Sequence, residues 1–288
     1  MRRGNDMRIA PAVSAPEPAQ AQGWGGDWNP ARYLAYGRER ARPAMDLVAR
    51  IDRAEPRRIL DLGCGPGNSA AILAARWPGA KIIGLDNSKA MIEAARRDFP
   101  EGEWILGDAL TAPLEGPFDI VFSNAAFQWI PRHPALIARL AGLLAPEGIL
   151  AVQAPRRGDM AVRKAIDEVG SRERWRGLVE GAELALNYRE LDSYYDILIG
   201  HFDEIELWQT SYFHVLEGAA SVIDFVRTTA LRPWLDRLPD EKARGDFERE
   251  VLEACSPSYP ARPDGKILFP FARLFFVATS PRPASRPA

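Results

Sequence analysis

Gly63, Gly65 and Gly67 break an apolar run just before a helical pattern starts, in RRILDLGCGPGNSAAILAARW over residues 57–77. Alternate glycines at a strand-to-helix turn let the main chain approach a ligand closely and adopt conformations closed to other residues. Three carboxylates stand in register with that turn: Asp61 just ahead of it, Asp86 closing KIIGLD, and Asp108 in ILGDAL. A carboxylate at the end of a second strand is placed to accept hydrogen bonds from a pair of ribose hydroxyls. The dinucleotide fingerprint GxGxxG is not met, because Asn68 stands where its last glycine would fall. The purely structural alternative is a tight turn with aspartates that cap helices. No His–Asp pair points to a general base.

The elements that would position these residues follow from periodicity. Strand-like runs RRILDL, KIIGLD, EWILGD, FDIVFS and GILAVQ alternate with helical patterns over about 68–77, 88–98 and 133–144. Short βαβ units of this kind predict a parallel sheet with helices on both faces, a doubly wound α/β fold. Two short helices are expected ahead of the glycines, with Asn29 as N-cap of one and Pro43 opening the other. After Pro155 the pattern loosens into MAVRKAIDEVG and a charged stretch. Two further strand-like runs, EIELWQTSYFHVL and KILFPFARLFFVATS, flank mostly helical sequence from about residue 220 to 254. They predict an antiparallel terminal hairpin with an insertion. The expected organisation is a leader at 1–26, a core of 27–217 and 265–280, a helical cap at 218–264 and a frayed tail at 281–288.

Composition excludes several classes. A net charge of -2 with 26% charged residues gives no basic excess for a polyanion, so nucleic acid is not an expected partner. No run approaches the roughly 18–20 apolar residues of a membrane helix, and no membrane partner is expected. Cys64 and Cys255 form no metal or disulfide framework, which suits a reducing compartment and a cytoplasmic location. No metal site is expected. Arg2-Arg3 invites an export reading, but Pro11, Pro16, Pro18 and Glu17 interrupt any apolar region behind it. Translation from Met7 is an alternative to Met1.

The turn Asp61-x-Gly63-x-Gly65-x-Gly67, with Asp86 and Asp108, resembles the S-adenosylmethionine site of class I methyltransferases, whose sheet is Rossmann-like with an antiparallel last strand. A wider resemblance is carried by DWNPARYLAYGRERARP, SNAAFQWIPRHPALIARLAGLLAPEGILAVQ, YYDIL, WQTSYFHVL, ALRPWL and YPARPDGKILFPFARLFFVAT. Over roughly residues 27–279 these segments are similar to the trans-aconitate 2-methyltransferase family. Ala154 and Ala230 depart from the residues usual in that family, and 156–193 diverges most.

The resemblance implies transfer of a methyl group from S-adenosylmethionine to a carboxylate of trans-aconitate, giving a monomethyl ester. A carboxylate is already ionised at neutral pH, so no catalytic base is implied and the protein's part is positioning. The implied cofactor residues are Asp61, Gly63, Cys64, Gly65, Gly67, Asn68, Asp86, Asn87, Asp108, Ala109 and Asn124. Asp108 would lie beside the adenine amino group. For the polycarboxylate substrate, Arg232 and Trp234 of ALRPWL come first, since arginine's planar fork suits carboxylates. Gln128 and Trp129 follow the fourth strand, Trp28 and Tyr33 would form a lid, and Tyr195 and His214 complete the set.

Each has a bland counterpart. Trp129 and Trp234 as buried aromatics, Arg232 in a surface ion pair, His133 as a helix-start residue, and Cys64 as a packing residue are the alternatives. Arg273, the one cation in FPFARLFF, either faces the pocket or reaches solvent. Three other functions stay open: a class I methyltransferase for another small acceptor, a nicotinamide-dependent oxidoreductase, and a non-catalytic S-adenosylmethionine-binding protein.

Overall fold

The computed structural model describes residues 37–282 apart from residue 159, with side chains from residue 41 onward. The expected leader, Trp28 and Tyr33 lie outside the described residues. The element order is α1 (Gly37–Val48), β1 (Arg58–Leu62), α2 (Asn68–Arg76), β2 (Lys81–Asp86), α3 (Lys89–Asp98), β3 (Glu103–Leu106) and β4 (Phe118–Asn124). There follow α4 (His133–Leu143), β5 (Leu144–Pro155), α5 (Ala161–Ser171), α6 (Glu173–Val179), α7 (Leu191–Leu198) and β6 (Phe202–Leu216). The chain closes with α8 (Ala219–Arg227), α9 (Arg232–Leu235), α10 (Glu241–Cys255) and β7 (Ile267–Pro281).

The seven strands form one sheet in the order β3-β2-β1-β4-β5-β7-β6. Its first five strands are mutually parallel, and β7 runs antiparallel to both β5 and β6. The fold is therefore the Rossmann-like sheet expected, doubly wound, with a reversed last strand. Strand order turns back between β1 and β4, which puts the crevice at the carboxyl ends of β1, β2 and β4.

Two apolar clusters sandwich the sheet. One gathers Leu60, Leu62, Val121, Leu150, Val152 and Phe276, among others, beneath α4 and α7. Its opposite packs Ile59, Ile120, Phe122, Ala151 and Phe275 against α1 and α2. The central strands β1, β2, β4 and β5 are buried on both faces for most of their length, which is why their sequences are continuous apolar runs, whereas the edge strand β6 alternates toward its end.

Three details differ from expectation. Pro43 does not open a helix; it lies inside α1, whose far half is held by the buried residues Ala44, Leu47 and Val48. The chain does not fray at 281, because Pro281 pairs with Phe202 and the Arg282 guanidinium donates to Asp203 and to the Ile199 carbonyl. Finally, the helices after β6 do not stand alone. Residues 219–259 share one apolar cluster with Met160, Val162, Ile166, Val169, Trp175 and Val179, so α5 and α6 from the divergent stretch pack with α8 and α10.

Candidate functional site

The turn after β1 is set by three backbone conformations. Gly63, Gly65 and Gly67 have φ of 71°, 53° and 94°, all in the left-handed region that favours glycine. A Cβ on Gly63 would fall 2.2 Å from the Ala126 Cβ, and one on Gly67 would fall 2.5 Å from the Phe99 ring. At Gly65 the added atom would meet nothing within 4 Å, because this residue borders an open cleft. The glycines thus have separate reasons: packing at 63 and 67, access at 65.

Asp86 is locked beside the turn. Its two oxygens accept from the Gly65 amide at 2.9 Å and the Ser88 amide at 2.8 Å. Burial raises its carboxyl above the usual range, and the Ser88, Gly65 and Asn87 amides pull in the other direction. Asp61 has a harsher setting. It is fully buried, neither oxygen has a hydrogen-bond partner of ordinary geometry, and the Ala70 amide alone pulls its pKa down. Burial first, and the Asp86 charge second, push its carboxyl up to about 8. An orphaned buried carboxylate is costly unless a donor, above all a cationic one, arrives.

The cleft over this turn encloses about 800 Å³, its open mouth included, within the range of small-ligand pockets. Of the expected cofactor residues, Gly63, Gly65, Asp86, Asn87, Asp108, Ala109 and Asn124 line it. Asp108 accepts from the Leu110 amide at 2.7 Å, and Arg139 of α4 fixes the same loop by donating to the Ala109 carbonyl. The Asn124 Oδ1 is buried without a partner. Cys64, Gly67, Asn68 and Asp61 are not in the lining. The Cys64 side chain turns into the apolar cluster under the sheet, toward Gly84, so the packing reading holds for it. Gly67 and Asn68 begin α2 instead.

A second cleft opens from the first and shares Ala125 and Trp129 with it. Ala125 has a φ of 55°, uncommon for a residue with a Cβ, and its amide donates to the Gln153 carbonyl. The 3₁₀ turn Phe127–Trp129 that follows is pinned from below. His133 bonds the Phe127 carbonyl through Nε2 at 2.9 Å, and its Nδ1 meets the Tyr194 hydroxyl at 3.1 Å. The Gln128 Nε2 donates to the Ala125 carbonyl at 2.7 Å, which leaves its buried Oε1 without a partner. Gln128 and Trp129 both line this second cleft, as expected.

The rest of the expected acceptor set lies elsewhere. Tyr195 is exposed on α7, because helical phase puts Tyr194 inward. His214 sits among Phe225, Phe269 and Phe271 and is not in the lining of either cleft. Arg232 pairs with Asp236 one turn along at 3.1 Å, and Trp234 is buried beneath the Arg163 guanidinium, 4.4 Å from its ring centre. The insert does reach the cleft, but through Phe225, Thr229 and Ala230, ahead of Arg232.

What the sequence reading passed over is Tyr188, with Met160, Phe225 and Phe271, all in that lining. Arg273 also lines the cleft, 6% exposed, stacked 4.2 Å over the Phe271 ring. A lone cation in an apolar strand was the signal, and it resolves toward the pocket. Tyr188 had no signal, since only the fold brings it there.

Residues 59–148 match the family described as a methyltransferase domain. Trans-aconitate 2-methyltransferases of Methylobacterium radiotolerans and Variovorax paradoxus are 43% and 41% identical over 255 and 257 residues, in each case 88% of this chain and 98% of the relative. Among solved structures, the YcgJ protein of Bacillus subtilis superposes with a TM-score of 0.54 at 15% identity, covering 84% of this chain and all of that one. A Haemonchus contortus phosphoethanolamine N-methyltransferase, solved with S-adenosylhomocysteine, gives 0.55 at 17% identity over 84% of this chain and 53% of its own. At such identities the structures speak for the fold alone.

Proposed function

The chain belongs to the trans-aconitate 2-methyltransferase family, and from that premise we propose that it moves a methyl group from S-adenosylmethionine to a carboxylate of trans-aconitate. The observation that carries the reading is the pair of joined clefts. One has a glycine turn and a locked carboxylate; the other has apolar walls and a buried arginine, and Ala125 and Trp129 form their common border.

The residues of the first cleft fit the cofactor. Asp86 is oriented by two amides and keeps lone pairs for ribose hydroxyls. The orphaned Oδ1 of Asn124, in the lining, is an acceptor suited to an ammonium group, and Asp61 lies buried behind the turn. Asp108 and Ala109 border the end of the cleft where the base would lie. S-adenosylmethionine, when bound, supplies a methyl group activated by its sulfonium.

The acceptor's carboxylate is already charged at neutral pH, with an ordinary pKa of about 4. The chain therefore need not take a proton from it. Its task is to hold the acceptor oxygen at the shared border and to exclude water, and such positioning contributes as much as about 7–11 kcal/mol in favourable cases. Arg273 and Tyr188 are assigned to the acceptor, with Gln128 and Trp129 as its wall. Of the expected cap, 218–264, Phe225, Thr229 and Ala230 form part of the wall, with Met160 ahead of α5 beside them. His133, buried and held neutral by desolvation, is assigned to positioning the Phe127–Trp129 turn.

Incubation with methyl-labelled S-adenosylmethionine and trans-aconitate tests the reading. Label in a base-labile ester is the expected result. Cofactor binding without turnover of any acid would favour the non-catalytic alternative.

A further inference from the structure

The turn Phe127–Trp129 carries the border between the clefts, and little in its own sequence holds it there. Trp129 and Ala125 line both clefts, Ala126 and Ile130 the first, and Gln128 the second. It is a single 3₁₀ turn, closed by the Trp129 amide on the Ala126 carbonyl and the Ile130 amide on the Phe127 carbonyl, each at 2.9 Å. Hydrogen-bond geometry in such turns is poorer than in an α-helix. Ala125 before it and Arg132 after it both have a φ of 55°, uncommon for residues with a Cβ. A segment bracketed in this way keeps its place only where its surroundings fix it.

Among the described residues, two tethers from outside the turn do so, and both lead to α7. The Asn187 amide, three residues ahead of the Glu190 that precedes α7, donates to the Gln128 carbonyl at 2.7 Å. The other tether runs through His133. A carbonyl can only accept, so the Nε2 that faces Phe127 carries the imidazole proton and Nδ1 keeps its lone pair. The Tyr194 hydroxyl therefore donates to Nδ1. Both side chains are 1% exposed and their rings stack, centres 5.5 Å apart, with the Phe127 ring tilted against His133. Burial keeps the imidazole neutral and the phenol protonated, the states that this direction of donation needs. An apolar pair would fill the same space in the cluster of Leu136, Leu198 and Phe276 without desolvating polar atoms. What it would lack is a donor on the Phe127 carbonyl.

We propose that His133 and Tyr194 are positioning residues of the transfer step: the Tyr194 hydroxyl holds the imidazole in the orientation and tautomer that fasten the Phe127–Trp129 turn, and the turn sets where Trp129 stands between the clefts. The inference rests on the reading of those clefts as cofactor and acceptor sites. Neither side chain is in the lining of either cleft, so neither is a contact residue. Helix α7 acts on the border through its buried tyrosine, and the exposed Tyr195 has no part in it. A shift of the border by about 1 Å would misalign methyl group and acceptor oxygen, a loss on the order of 100-fold in rate. The walls that bind each partner belong mostly to other residues.

Steady-state kinetics and imidazole nitrogen NMR on wild type, Tyr194→Phe, His133→Gln and His133→Leu test this. The chain has three histidines, and the signals of His133 are those that its own variants remove. In wild type Nε2 should carry the proton. Tyr194→Phe should shift the Nδ1 signal and lower kcat by on the order of 10-fold, while the KM for S-adenosylmethionine and for trans-aconitate changes by less than about twofold. His133→Leu should lower kcat by on the order of 100-fold. His133→Gln, whose side-chain amide donates to the same carbonyl, should recover most of it. A proton on Nδ1 in wild type would overturn the proposal. So would an unchanged kcat in Tyr194→Phe, equal losses in His133→Gln and His133→Leu, or losses confined to melting temperature and KM, each of which assigns the pair to packing. Wild type that methylates no carboxylic acid, with Nε2 protonated as expected, would overturn the acceptor reading and with it the role in transfer, leaving the hydrogen-bond chain itself in place.

Discussion

Asp61 concentrates the energetic cost of the site in one side chain. Its folded pKa, about 8, is raised from an unfolded value of about 4. Between those values the unfolded chain releases a proton that the folded one retains, so ionisation favours unfolding and stability falls as pH rises from about 4 to 8, then levels. Carboxylates held below their usual range, such as Asp119 and Glu250, lose their contribution only at lower pH. Asp86, also raised, adds a slope of the same sign as that of Asp61. Asp61→Asn should therefore melt at higher temperature than wild type near pH 7 in the absence of cofactor, with most of the slope between pH 5 and 8 gone, and it should bind S-adenosylmethionine more weakly. A pH series of thermal melts decides this; an unchanged slope would contradict the buried, unpartnered carboxylate. Arg232 and Arg273 make a second residue-scale comparison. Arg232 reads from sequence as the acceptor's cation, yet it pairs with Asp236 on its own helix, and Arg273 lines the cleft. In steady-state kinetics Arg232→Ala should cost much less in kcat/KM for the acid than Arg273→Gln. The reverse order would return the role to the insert.

At the scale of elements, the β1 turn and the loop after β4 are built against each other. A side chain at Gly63 collides with Ala126, whereas at Gly65 it meets only the open cleft. Gly63→Ala should then destabilise by about 1–3 kcal/mol, while Gly65→Ala should cost mainly backbone strain and yet weaken cofactor binding. Melting and equilibrium cofactor titration on the pair separate the effects; equal stability losses would contradict the packing at 63. The same local rules explain what was legible in the sequence. Strands buried on both faces, glycines at turns and the Ser88 cap of α3 leave marks a few residues wide. The segment 156–199 leaves none. Met160, Arg172, Gly181 and Glu190 stand ahead of its helices without a side-chain capping bond. Those helices are held by tertiary burial of Val162, Ile166, Trp175 and Val179 against α8 and α10, which no local pattern encodes. The residues that line the first cleft were legible because they stand at the ends of neighbouring strands. Tyr188 and Arg273 come from distant stretches, and only tertiary packing brings them to one cleft.

The whole molecule places a general cofactor device beside a particular acceptor device. The doubly wound sheet supplies the first at its switch point, and in the proposed reading the long β6–β7 hairpin with the helices packed on it supplies the second. Among the described residues no helix is long and apolar enough to cross a membrane. The two clefts meet at Ala125 and Trp129; on the proposed reading, transfer depends on occupancy of both and acceptor identity is set on the cap side of that border. The most direct measurement is kcat/KM for transfer from S-adenosylmethionine across trans-aconitate, cis-aconitate, citrate, isocitrate, itaconate and a simple phenol. The account predicts the highest value for trans-aconitate, lower values for the other polycarboxylates and none for the phenol. A phenol methylated faster than any acid would contradict it.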